Sequence, residues 1–297
     1  MSIKPRIPFY NPIDPTHPKV WPDYKLLMPV CAVGNVGQLA CDLIISTLLS
    51  KNECQLIGRI YSPALMPVVG PNAFSPQGPP TTSTEIYESK THKLIIIQQR
   101  TSYFKNLKHT YIEELIRWIK ESKFDQLLVL TSSFAQCNPD ISQLGDLNMM
   151  PIRTITTNVF EKTDAWLGLN LKPLPAKNRL NVVKDGLSYL PGSGLTKSLI
   201  KACERASIPA AFLVDFCSEG INLHDCYQVV FVLDKYLNLS CRQTAQVQTT
   251  QSRGLSATAT DLKAALQDIE RGLDGGDGAE MAKRSWVEPY SWTQAQC

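Results

Sequence analysis

The segment that most constrains this 297-residue chain is residues 26–51. There the apolar run Leu-Leu-Met-Pro-Val-Cys-Ala-Val meets a glycine turn, Gly34-Asn35-Val36-Gly37, and then a periodic stretch. A short apolar run bounded by a turn fits a buried strand. After the turn, Val36, Leu39, Ala40, Leu43, Ile44 and Leu48 repeat at the spacing of one helix face, with Thr47 as a semi-polar member. Asn35, followed three residues later by Gln38, predicts an N-cap completed by a capping box. A strand that turns tightly into a helix is the start of an α/β unit, because the helix must bury its face on the sheet it has just left.

The same grammar recurs downstream. Residues 56–62 read as a strand, and residues 84–88 and 93–99 as a strand pair joined by a polar turn. Thr110 and Glu113 form a second capping box, ahead of Ile112, Leu115, Ile116 and Ile119 on one helix face. Residues 126–131 are another buried-type strand, and 152–156 a weaker one. After Pro191-Gly192-Ser193-Gly194 a helix runs through Leu195, Leu199 and Cys203, and residues 209–216 form a strand. Asn222 is the expected N-cap of a last helix carrying Cys226, Val229, Val230, Leu233 and Leu237. This alternation predicts an α/β three-layer sandwich with a mostly parallel or mixed central sheet.

Three regions depart from it. Residues 1–25 hold six prolines and predict an extended arm without secondary structure, its Phe9, Tyr10, Trp21 and Tyr24 available to pack on a surface. Residues 63–83 hold six more prolines and predict a long exposed loop, and 171–179 a further loop. Beyond residue 239 a Gln/Thr/Ser-rich stretch, one amphipathic helix (Leu262, Ala265, Leu266, Ile269, Leu273) and a glycine-rich break lead to Trp286-Val287-Glu288-Pro289-Tyr290-Ser291-Trp292. The expected organisation is an arm at 1–25, an α/β domain at 26–239 and a C-terminal extension at 240–297. Trp286, Pro289, Tyr290 and Trp292 are candidate protein-interface residues, since aromatic anchors dominate interfaces, with packing of these aromatics back on their own domain as the equal alternative.

Composition narrows the function. Thirty basic and 27 acidic residues leave a net charge of +3, too little to point to nucleic acid or an anionic membrane. No uninterrupted apolar run spans a membrane, because Asp42 breaks the best stretch. Nine scattered cysteines without a C-x-x-C motif predict reduced thiols, and hence the cytosol or nucleus. Four histidines without helical pairing predict no metal site.

The chemical motifs are partial. Gly34–Gly37 is G-x-x-G, short of the G-x-G-x-x-G dinucleotide fingerprint, and no acidic residue follows at the next strand end. In Gly192-Ser193-Gly194-Leu195-Thr196-Lys197-Ser198 the lysine stands three residues after the glycine, where a phosphate-binding loop needs one. Gly34, Asn35, Gly37, Gly192 and Gly194 are therefore read as structural turn residues. Cys217 with His224 and Asp225 is the remaining nucleophile candidate, weighed against a buried structural thiol. With no catalytic constellation and no cofactor motif, a binding or assembly role is favoured over an enzyme. A nucleoside-phosphorylase-like enzyme or a nucleotide-binding protein stands as the alternative.

The opening at 26–51 resembles the proteasome assembly chaperone family, its second-subunit branch in particular. So do Leu-Leu-Val-Leu-Thr-Ser-Ser at 127–133, Leu-Pro-Gly-Ser-Gly-Leu-Thr-Lys at 190–197, Phe-Cys-Ser-Glu-Gly-Ile-Asn at 216–222 and the aromatic tail. Residues 63–83, 135–182 and 240–280 match that family poorly. The resemblance implies a phosphorylase-like α/β sandwich and a non-enzymatic chaperone that pairs with a homologous first subunit. It further implies binding to proteasome alpha-type subunits, promotion of alpha-ring assembly and prevention of off-pathway ring dimers. The chain ends Ala295-Gln296-Cys297, without the family's hydrophobic–tyrosine–any-residue anchor, which assigns the stronger anchor to the partner.

Overall fold

A computed structural model describes residues 8–139, 152–175, 189–220, 222–239, 286–289 and 292. The apolar run after the arm becomes β2 (Lys25–Pro29), and the periodic stretch behind the glycine turn becomes α1 (Val36–Ser50). Three further strands carry the same buried apolar character: β7 (Leu94–Gln99), β8 (Gln126–Phe134) and β11 (Ala210–Cys217). They pair in parallel in the order β7-β2-β8-β11. Strands buried on both faces read as continuous apolar runs, and these do.

Each flank joins this parallel centre through an antiparallel pair. β1 (Tyr10–Pro12), β3 (Gln55–Ile60) and β6 (Thr84–Ser89) extend one side, and β9 (Arg153–Thr156) with β10 (Lys172–Pro173) the other. Among the described residues the order is β1-β3-β6-β7-β2-β8-β11-β9-β10. The sheet is thus the mixed member of the two sheet types expected.

Period-two alternation sends neighbouring residues to opposite faces. Leu27, Leu128, Leu130 and Leu213 meet α1 and α5 (Leu223–Leu237). Leu26, Met28, Leu127, Val129 and Phe212 meet α2 (Lys108–Ser122) and α4 (Thr196–Ala206). α1 is covered nearly all round, from Val36 to Leu48. Val33–Ser50 has the length and hydropathy to cross a membrane, yet 61% of it is buried inside this fold. Its Asp42 meets Arg100 through two hydrogen bonds of 2.6 Å.

Several local expectations give way to tertiary structure. Asn35 lies at φ +53 with no capping bond, because Val33–Asn35 form a 3-10 turn that uses left-handed backbone at Gly34 and Asn35. An N-cap needs extended backbone there. Gln38 instead donates to the Gln99 carbonyl at 3.0 Å. Thr110 lies inside α2, which starts at Lys108, so the second capping box is not formed. Asn222 makes no capping bond either, and its amide donates to the carbonyls of Gly34, Ser218 and Gly220.

The proline arm includes the strand β1, antiparallel to β3, and buries Tyr10 and Trp21. Trp21 stacks on Phe124 at 5.5 Å and meets Trp118 edge-on. Within 63–83, β4 (Val69–Gly70) and β5 (Thr81–Thr82) form a two-stranded ribbon. A short helix, α3 (Asp164–Leu167), buries Trp166 against Phe160 and Tyr236. The amphipathic helix expected at 262–273 and the glycine-rich break at 272–278 lie outside the described residues.

Candidate functional site

Three connections converge at the carboxyl ends of β2, β8 and β11, where open α/β sheets commonly bind ligands. They are the Gly34 turn, the Pro191–Gly194 turn ahead of α4, and the segment after Cys217. The first two dock on each other: the Val33 amide donates to the Gly192 carbonyl at 2.9 Å. Gly34 at φ +70, Gly192 at φ +77 and Gly194 at φ +58 all hold left-handed backbone that glycine adopts without strain. A β-carbon on Gly34 would lie 2.7 Å from Cys217 Sγ and on the Asn222 amide. One on Gly194 would strike the Cys31 carbonyl, and one on Gly37 would lie 2.7 Å from the Leu130 carbonyl.

Short hydroxyl bonds tie the same region. Thr131 and Thr196 share a 2.6 Å hydrogen bond, and Thr196 Oγ1 lies 2.6 Å from the Ser193 carbonyl. Ser133 donates to the Pro191 carbonyl, and Ser132 to the Val33 carbonyl. A phosphate cradle needs space in front of its amides. Here the glycine faces are filled by neighbouring backbone and side chains, so the residues serve close approach between loops. Lys197 lies in the first turn of α4.

The Cys217 constellation does not assemble into a nucleophile and base. Its thiol points at the Val33 carbonyl, 3.5 Å away, while His224 Nε2 meets Gln228 Nε2 at 2.8 Å. Burial first, then the Asp215 and Asp225 charges, push the Cys217 thiol up to about 12, far from a thiolate at neutral pH. Burial also raises Cys31 to about 11 and Cys203 to about 12.

Asp215 belongs to none of the motifs in the sequence. It is fully buried, and neither carboxyl oxygen meets a donor in good hydrogen-bond geometry. Burial and the neighbouring Asp225 push its carboxyl up to about 7, with the Phe216 amide drawing it partly back. The available signal was a lone carboxylate in the otherwise apolar run Ala-Ala-Phe-Leu-Val-Asp-Phe-Cys.

The aromatic tail returns to its own domain. Trp286 and Trp292 pack against the α1/α5 face, and Pro289 is buried. The Val287 amide donates to Thr47 Oγ1 at 2.9 Å, which explains the polar residue on that helix face. Tyr227 donates to Glu288 at 2.7 Å. Tyr290 lies outside the described residues.

Comparison with known proteins adds the remaining information. The model of the PAC2 family matches residues 26–240. A protein of Nematostella vectensis named "Proteasome assembly chaperone 2" is 34% identical over 233 residues, 75% of this chain and 93% of that one. The Homo sapiens protein of the same name is 32% identical over 225 residues, 73% of this chain and 82% of the relative. Among solved structures, Pyrococcus furiosus PbaA, described as an archaeal homolog of proteasome-assembly chaperone, aligns with a TM-score of 0.55 at 19% identity. That alignment covers 93% of this chain and 94% of PbaA, and it establishes a shared fold.

Proposed function

The chain belongs to the PAC2 family, and from that premise we propose that it is a proteasome assembly chaperone subunit. It acts by binding protein surfaces and not by catalysis. It pairs with a homologous first subunit, engages proteasome alpha-type subunits, promotes their assembly into the ring and prevents off-pathway ring dimers. Its place of action is the cytosol or nucleus.

One observation carries the reading: resemblance at 34% identity, over 75% of this chain and 93% of the relative, to a protein bearing the assembly-chaperone name. The site geometry supports it. The crevice at the strand ends, where an enzyme of this architecture would hold substrate, is closed by glycine-mediated loop contacts. The thiol nearest to it is held protonated by burial.

The test is co-expression with the homologous first subunit, followed by native mass spectrometry in the presence of purified alpha-type subunits. A one-to-one heterodimer that also captures alpha subunits is expected. A chain that stays monomeric and binds neither overturns the proposal.

A further inference from the structure

Beside the docked tail the molecule keeps an open cleft of about 630 Å³. It lies between the last turns of α1, the loop at 72–79 and the tail residues Val287 and Glu288. Small-molecule sites are clefts of roughly 300–1,000 Å³ with mostly apolar walls and a few placed polar groups. The walls here are Leu49, Leu56, Phe74 and Tyr87. The two rings meet edge to face with centroids 5.7 Å apart, which fixes the aromatic side of the cleft. None of the turn residues that close the crevice at the strand ends lines it.

The charge of the cleft has one sign. Among the described residues that line it, Glu288 alone is charged. Tyr227 donates to its Oε1 at 2.7 Å, and the Val287 amide donates to Thr47 Oγ1 at 2.9 Å, so side chain and backbone are both held in place. A second carboxylate stands behind the aromatic wall, where Glu85 accepts the Tyr87 hydroxyl at 3.0 Å. The cation nearest that wall is already matched: Arg100 lies over Phe74 and pairs with Asp42 through two 2.6 Å bonds. Aromatic faces and a fixed carboxylate both attract positive charge, and the aliphatic walls take up an apolar stem.

We propose that this cleft binds a small organic cation, an ammonium or guanidinium carried on an apolar or aromatic stem. The stem lies against Leu49, Leu56, Phe74 and Tyr87, and the cation meets the Glu288 carboxylate. An anion of the same shape is rejected, because it would face Glu288 with no cation in the lining to offset it. The site is complete only while the tail is docked, since Val287 and Glu288 form one of its walls. A ligand with higher affinity for the docked state shifts the tail toward that state. The cation therefore fastens a segment that residues 240–285 separate from α5. The assignment stands apart from the assembly role.

The test titrates the full chain with phenethylamine and with two molecules of like shape, the anion hydrocinnamate and the neutral phenethyl alcohol. The amine is expected to bind at least about tenfold more tightly than either, the scale of one charge-assisted hydrogen bond. E288Q keeps an oxygen for the Tyr227 hydroxyl and removes the charge. It is expected to lose about 10- to 100-fold in amine affinity. Hydrogen exchange at the Val287 amide, which reports tail docking, should slow when the amine is added to the native chain. The same exchange measured on E288Q without ligand shows whether its tail remains docked; if it does not, the selectivity of the native chain among the three molecules decides. Equal affinity for amine and hydrocinnamate, an E288Q with a docked tail and native amine affinity, or exchange at Val287 indifferent to the amine overturns the proposal. So does the absence of amine binding up to millimolar concentration. An acetyl-Leu-Lys-Leu-amide peptide supplies the same cation from a chain segment, and binding of that peptide without binding of the amine overturns the free ligand.

Discussion

Asp215 shows how one side chain couples this fold to pH. Its carboxyl is buried on β11 beside Asp225, with a pKa raised to about 7. It holds its proton more tightly folded than unfolded. Its contribution is therefore fully present below about pH 4, declines as pH rises through about 7, and above that stands as a cost of roughly 4 kcal/mol. Asp225, whose carboxyl is also raised by burial, acts in the same direction. Urea midpoints for the native chain should fall between pH 5 and pH 8, and D215N should flatten that decline and exceed the native midpoint at pH 8. A native midpoint that does not move would refute the assignment. The same scale sets the limit of sequence reading. Gly34, Gly192 and Gly194 were legible as turn glycines, because a strand running into a helix needs such a turn. That Gly34 makes room for Asn222, 188 residues away, was not legible.

At the scale of elements, α1 is held by more than its apolar faces. Asp42 is buried, and its carboxylate is matched by both terminal nitrogens of Arg100, just past the end of β7. Phe74 lies over the Arg100 guanidinium at 5.6 Å, so helix, strand end and proline loop share one contact. Removing the arginine would strand a buried carboxylate. R100M should lower stability by about 3–5 kcal/mol in urea unfolding, and D42N/R100M should recover part of that loss. An R100M protein as stable as the native chain would show the pair to be a surface ornament. The order of elements followed from periodicity alone, since strands and helices repeat their apolar residues at different intervals. Their caps did not. Asn35, Thr110 and Asn222 have the right identity and spacing for caps, but backbone angle and distant partners decide whether a cap forms.

For the whole molecule, the β1 arm and the two helical layers share a single sheet. Trp21 and Trp118 lie in the core on one face, and Trp166 lies in the core on the other. Unfolding followed by tryptophan fluorescence and by far-ultraviolet circular dichroism should therefore give coincident transitions. An early fluorescence change without loss of helix would show that the arm detaches on its own. Fold class, the order of the central elements, the position of the glycine turns and the family were all legible along the chain. Each of these is written in local period or in contiguous motif, and neither depends on what lies across the sheet. It took the folded molecule to show that each flank joins the sheet through an antiparallel pair, that the proline arm adds an edge strand, that Trp286 and Trp292 pack home onto α1 and α5, and that residues 63–83 carry a two-stranded ribbon. Those outcomes depend on which surfaces meet, often between residues more than a hundred positions apart. Burial free energy is indifferent to separation along the chain, so local pattern does not report it.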